Sequence, residues 1–198
     1  MLVQRVAAHG VEVTDFGLVD NAAGAYALLP RLKAADLDLL LCDMVTYATS
    51  STFGAIARDM DIPIVLVALQ PMEAMDYANG STYMQLCNDD FCSVPEFTGV
   101  AIRMGRRPPP VILGVEEGDP VAVEELREWC QIARVLHDLR RARIGHMGHV
   151  LESMLDMHTD PTAVTAAFGC HVVQCEPEDI LRHYRDDFAD AQIGSAHA

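Results

Sequence analysis

Leu37-Asp-Leu-Leu-Leu-Cys42 and, after an intervening segment, Ile64-Val-Leu-Val-Ala-Leu69 decide the fold of this chain. Each is an apolar run of strand length, and only Asp38 interrupts the pair. Runs of this kind belong to strands covered on both faces, as in a parallel sheet. Between them lies a hydroxyl-rich stretch, 46–51, then a helix over 53–60. Asp61-Ile-Pro63 ends that helix, because proline disfavours helical geometry in the residue before it. Strand, helix and strand in this order make a parallel pair joined by a crossover.

The same alternation extends in both directions. Upstream, residues 1–9 read as the end of a helix closed by Gly10, and 11–16 as a strand with β-branched residues. Asp20-Asn21 caps a helix over 22–34. Downstream, 70–90 is polar and bears a helix near 81–86. A second helix follows Pro95 over 96–104, Arg106-Arg-Pro-Pro-Pro110 is a stiff connector, and 111–115 is extended. Asp119-Pro120 starts a long helix reaching about residue 141, with Leu126, Trp129, Ala133, Leu136 and Leu139 near helical spacing. A strand over 143–147, a short helix from Asp160-Pro161 to Gly169, a strand over 170–175 and a helix over 178–188 complete the reading. The expected architecture is α/β. A flavodoxin-like parallel sheet with helices on both faces occupies 1–118, a connecting helix 119–141, and the start of a second α/β domain 142–198. Doubly wound units open on a strand, whereas this chain opens inside a helix. The first strand of the first domain is therefore expected to be missing and the second domain to be partial.

Composition narrows the function. With 14 Lys+Arg against 29 Asp+Glu, the net charge of −15 repels phosphate backbones and anionic lipid, so neither nucleic acid nor membrane is an expected partner. No apolar run reaches the roughly 20 residues that span a bilayer, and no basic-then-apolar leader opens the chain. A cytoplasmic protein with reduced thiols is expected. The six cysteines form no CxxC pair, and only Cys87 and Cys92 share a polar loop.

Ala142-Arg-Ile-Gly-His-Met-Gly-His149 reads as a strand entering a Gly/His-rich turn, followed by Met154-Leu-Asp-Met-His-Thr-Asp160. Gly145 and Gly148 permit close backbone approach, and His146 and His149, three apart, can face one crevice. Open α/β sheets place ligands at the carboxyl ends of their strands. A solvated histidine beside a turning glycine is the plainer reading. Asp156, His158 and Asp160 have metal-ligating chemistry, although Asp160 also suits the cap of the next helix.

Three segments, in order and spacing, resemble the L-arabinose isomerase and L-fucose isomerase superfamily. They are Leu41-Cys-Asp-Met-Val-Thr-Tyr-Ala-Thr-Ser-Ser-Thr52, Leu86-Cys-Asn-Asp-Asp-Phe-Cys-Ser-Val-Pro-Glu-Phe-Thr-Gly99, and 142–149 together with 154–160. The likeness covers about 11–187 and corresponds to the N-terminal and central domains of those enzymes. It implies aldose–ketose isomerisation, in which a divalent ion, usually Mn²⁺, polarises the sugar oxygens and a carboxylate moves a proton between adjacent carbons. The metal ligands and the base of the family lie beyond the matched region, so no catalytic residue and no metal ligand carries over.

What the resemblance carries over is a sugar-lining wall. Thr46 and Tyr47 match a Thr–aromatic pair after a core strand, Asn88 and Asp89 a polar loop, Glu96 an acidic position before a helix, and His146 and His149 the loop that opens the central domain. Cys92 departs from the histidine of the arabinose enzymes. Each residue also has a purely structural use. Thr46, Thr49 and Ser50 suit helix capping, Asn88 and Asp89 a local turn, and Glu96 the dipole of a helix start. The expected partner is a monosaccharide, in a homo-oligomer or with a missing C-terminal domain, and the isolated chain is expected to be inactive. The rival expectations are a non-catalytic sugar-binding or assembly module and a truncated, functionless fragment.

Overall fold

The structure is a computed structural model that describes residues 2–183. It is α/β, and every strand pair among the described residues is parallel. The chain divides into two compact units, 1–136 and 137–198.

In the first unit, α1 (Leu2–Ala7) and α2 (Ala22–Ala34) precede β1 (Leu40–Asp43), α3 (Ser50–Asp59) and β2 (Ile64–Gln70). Then come α4 (Thr82–Cys87), a 3-10 turn (Asp90–Ser93), α5 (Val94–Arg103), β3 (Val111–Val115) and α6 (Pro120–Arg141), whose last turn continues past residue 136 into the second unit. The sheet order is β1-β2-β3, with Leu40 opposite Ile64 and Leu66 opposite Val111. β2 is central, which explains its unbroken apolar run. Alternate side chains serve opposite layers: Val65, Val67 and Leu69 meet Val6, Ala122, Leu126 and Cys130 from α1 and α6. Leu66 and Ala68 face Phe53, Ala57, Phe97 and Ala101 from α3 and α5. Phe53 and Phe97 stack with centroids 4.5 Å apart and clamp these two helices. Helices therefore cover both faces, as the sequence indicates.

Two expectations are corrected. Residues 11–16 join no ladder. Val11 and Val13 do settle on the core around β2 and β3, and Phe16 packs near α2. Alternating apolar residues report burial of one side, and that burial is met here by packing without strand pairing. Asp15 then turns the chain by accepting from the Gly17 N–H at 2.8 Å, and Gly17 has φ +81°. The second correction concerns the leucine run, which begins its ladder at Leu40 rather than Leu37. β1 is an edge strand, so Leu40, Leu41 and Cys42 are half-buried and Asp43 is exposed although helices lie above and below.

Several starts follow the sequence reading. Asn21 caps α2, accepting from the Gly24 N–H at 2.8 Å. Asp119 caps α6 by accepting from Val121 and Ala122, and its second oxygen accepts from Val115 at the end of β3. Gly114 leaves room for this carboxylate: a Cβ there would stand 2.2 Å from Asp119 Oδ2.

The second unit contains β4 (Arg143–Met147), a 3-10 turn (Leu155–Met157), α7 (Pro161–Phe168), β5 (His171–Cys175) and α8 (Pro177–His183). β4 and β5 pair in parallel, Arg143 opposite His171. Asp160 caps α7 through the Thr162 N–H at 2.8 Å, and Gly169 ends it with φ +77°. The remainder of the helix expected over 178–188 lies outside the described residues.

Candidate functional site

The carboxyl ends of β1, β2 and β3 point the same way because all three strands are parallel. The chain leaves β1 at Asp43, and Met44 stays anchored through its N–H to Val67 O at 2.8 Å. Thr46 then occupies an exposed bend and Tyr47 an exposed irregular position before α3. β2 ends at Gln70, whose side-chain amide donates to the Asn88 carbonyl oxygen. Glu116 follows β3, and its N–H bonds Gln70 O at 2.8 Å. These bonds bring the 44–48 loop, the 88–93 segment and Glu116 to one end of the sheet.

Two contacts lock the loops together. Ser93, fully buried, accepts from the Ala48 N–H at 2.7 Å. Tyr47 donates its phenol hydrogen to Glu96 Oε1 at 2.8 Å. The Glu96 hydrogen bond and charge push the Tyr47 phenol above its ordinary range, so it stays protonated. The pair presents an aromatic face beside a carboxylate, both exposed.

Asn88 is at the same end, with its side chain committed to the protein. Its Oδ1 accepts from Met72 N–H at 3.0 Å, and its Nδ2 donates to Met84 O at 2.8 Å. It acts as a pin for the loop after β2. Asp89 takes a hydrogen bond from the Cys92 thiol and, with burial and its own charge, holds that thiol above the usual range. Thr49 occupies the N-cap position of α3, but its side chain makes no capping bond; it lies 3.1 Å from Ser51 Oγ instead.

Three residues unmarked in the sequence reading complete this end. Asp90, only 3% exposed, has an Oδ1 with no hydrogen-bond partner. Its carboxyl is pushed up to about 6 by burial first, then by the charges of Glu116 and Asp43. Asp43 is itself raised by burial and by Glu116, opposed by Arg5. Position at a strand end was the available signal for Asp43 and Glu116. For Asp90, nothing in Asp89-Asp90 tells the buried acid from its neighbour.

His146 and His149 belong to the second unit. His146 Nδ1 lies 3.1 Å from Gln174 Oε1, and His149 Nε2 lies 3.5 Å from Glu176 Oε1. Both are exposed and reach toward the end of β5, so the structure brings them to one strand end, each beside an acceptor. A recess between α7 and β5 is lined by Pro161, Thr162, Thr165, Ala166, His171 and Val172 and uses neither histidine. Among the described residues, no group of three or more His, Cys, Asp or Glu side chains is arranged to hold a metal ion directly. Asp160, weighed with Asp156 and His158 as a possible ligand, is engaged in its cap. No helix among the described residues is long and apolar enough to cross a membrane.

In comparisons with known proteins, no family model and no curated protein matches this chain.

Proposed function

We propose that the first unit supplies one wall of a monosaccharide pocket in an isomerase of the L-arabinose/L-fucose kind, and that the chain alone does not turn over sugar. The observation that carries this reading is the Tyr47–Glu96 pair at the carboxyl end of a parallel sheet. An exposed phenol ring offers a flat surface to the C–H face of a sugar. Glu96 Oε1 is satisfied by the phenol, which leaves Oε2 to accept from a sugar hydroxyl and fixes the carboxylate's orientation. Asn88 and Ser93 hold the supporting loops, and Asp89 would accept from a further hydroxyl. His146 and His149, on the second unit, are proposed separately as donors to sugar oxygens. Mn²⁺, when bound, would polarise the carbonyl and hydroxyl oxygens during isomerisation. No residue described here is assigned to it or to the proton transfer.

The test has two parts. The purified chain, incubated with Mn²⁺ and a panel of pentoses and 6-deoxyhexoses, is expected to form no ketose at enzymatic rates. The same sugars are expected to bind weakly, and Tyr47→Ala is expected to abolish the binding without unfolding the protein. Enzymatic ketose formation, or sugar affinity unchanged in Tyr47→Ala, would refute the reading.

A further inference from the structure

Asp90 opens the 3-10 turn at the carboxyl end of the sheet, and its Oδ1 is shielded from water without a hydrogen-bond donor. Buried acceptors without partners are costly, and charged ones more so. After burial, the charges of Glu116 and Asp43 bear most on Asp90; its own backbone N–H opposes them, and Asp89 adds to them last. Asp43 and Glu116, which follow or end the neighbouring strands at this end of the sheet, are exposed. Arg5 also reaches this end, donating to the Glu116 carbonyl oxygen at 2.8 Å, and its charge favours ionised Asp43. That arginine is engaged with the backbone and leaves Asp90 Oδ1 unpartnered.

We propose that the carboxyl end of the first sheet binds a compact cation carrying its own hydrogen-bond donors, seated on Asp90 between Asp43 and Glu116. The negative charges select a cation, and the orphaned acceptor selects a donor periphery. Among the described residues no three His, Cys, Asp or Glu side chains are arranged for direct ligation of a metal ion, so the proposed ligand is one that brings its own donors. Hydrated Mg²⁺ is such a ligand: the ion gives up water reluctantly and presents O–H donors around its shell. A primary ammonium presents N–H donors in the same way. The two share one chemistry, and the experiment separates them. The inference does not depend on the sugar reading.

The test titrates the intact chain near neutral pH and at constant ionic strength, by calorimetry and amide chemical shifts. The probes are Mg²⁺, hexaamminecobalt(III) as a non-exchanging mimic of the hydrated ion, methylammonium, and tetramethylammonium, which has no donor hydrogens. The expected result is saturable binding with shifts around Asp90 and Glu116. Saturation by Mg²⁺ and hexaamminecobalt identifies a hydrated metal, and saturation by methylammonium an amine. Binding should weaken about tenfold, equivalent to about 1.4 kcal/mol, in Asp90→Asn, and by a smaller factor in Glu116→Gln, whose exposed position leaves the fold intact. Three results overturn the proposal: no saturation beyond that of Na⁺, saturation by tetramethylammonium, or affinity unchanged in Glu116→Gln.

Discussion

The Ala48 N–H donates to Ser93 Oγ across 2.7 Å, joining the loop after β1 to the turn before α5, 45 positions away in sequence. Ser93 is fully buried, so this bond has no water to replace it. Tyr47 and Glu96, one residue before Ala48 and three after Ser93, depend on it for their mutual placement.

Removing that acceptor should therefore loosen the site before it unfolds the domain. Ser93→Ala leaves the Ala48 N–H unpaired, and we expect a loss of about 1–3 kcal/mol in urea unfolding. Amide exchange at Ala48 should accelerate more than exchange in β2.

The Tyr47 phenol should titrate above a free tyrosine, since Glu96 stabilises its protonated form. A folded-state pKa above the unfolded value favours the folded protein below the unfolded pKa. That contribution is lost as pH rises through the folded one. Ultraviolet titration of the chain against Glu96→Gln should show one tyrosine moving down in the variant. An unchanged tyrosine profile would break the pairing.

Asp90 gives the same sign in a lower window. Its carboxyl is raised to about 6, against roughly 3.9 for an unperturbed aspartate. Its contribution to stability is complete below the lower value and declines as pH rises through 6. In cation-free buffer, Asp90→Asn should flatten the fall in stability that the parent shows over this range. Urea midpoints across the range are the measurement, with far-ultraviolet dichroism to confirm that the variant folds.

Gly114→Ala should destabilise the first unit by about 1–3 kcal/mol, the usual cost of overpacking. The added Cβ would fall against Asp119 Oδ2 and Ala122 Cβ. Either β3 shifts or the cap of α6 is lost, and thermal unfolding reads both as a lower midpoint.

The parallel sheet was legible because β2 is apolar on both faces and its flanking helices are marked by Asn21, Pro63 and Asp119. The pairing of 11–16 was not legible in the right sense, since Val11 and Val13 carry a strand's alternation while packing without a ladder. Tyr47 and Glu96 were visible as separate candidates, but nothing local reveals that one donates to the other. Asn88 was read as a polar contact, and its amide proves to be bound to Met72 and Met84. Asp90 stayed hidden because burial of one acid in an Asp-Asp pair is set by how the 3-10 turn meets β2, a tertiary property. His146 and His149 do lie at and just past the end of β4, but nothing local reveals their neighbours, Gln174 in β5 and Glu176 just after it.

The central claim is that the carboxyl end of the first sheet is a sugar-binding wall. Its most direct test is a backbone amide chemical-shift titration of the chain with L-arabinose and L-fucose. The account predicts saturable shifts confined to 44–48 and 88–96 in the first unit, lost in Tyr47→Ala. Absence of saturable shifts in those segments, or saturable shifts that persist in Tyr47→Ala, would contradict it.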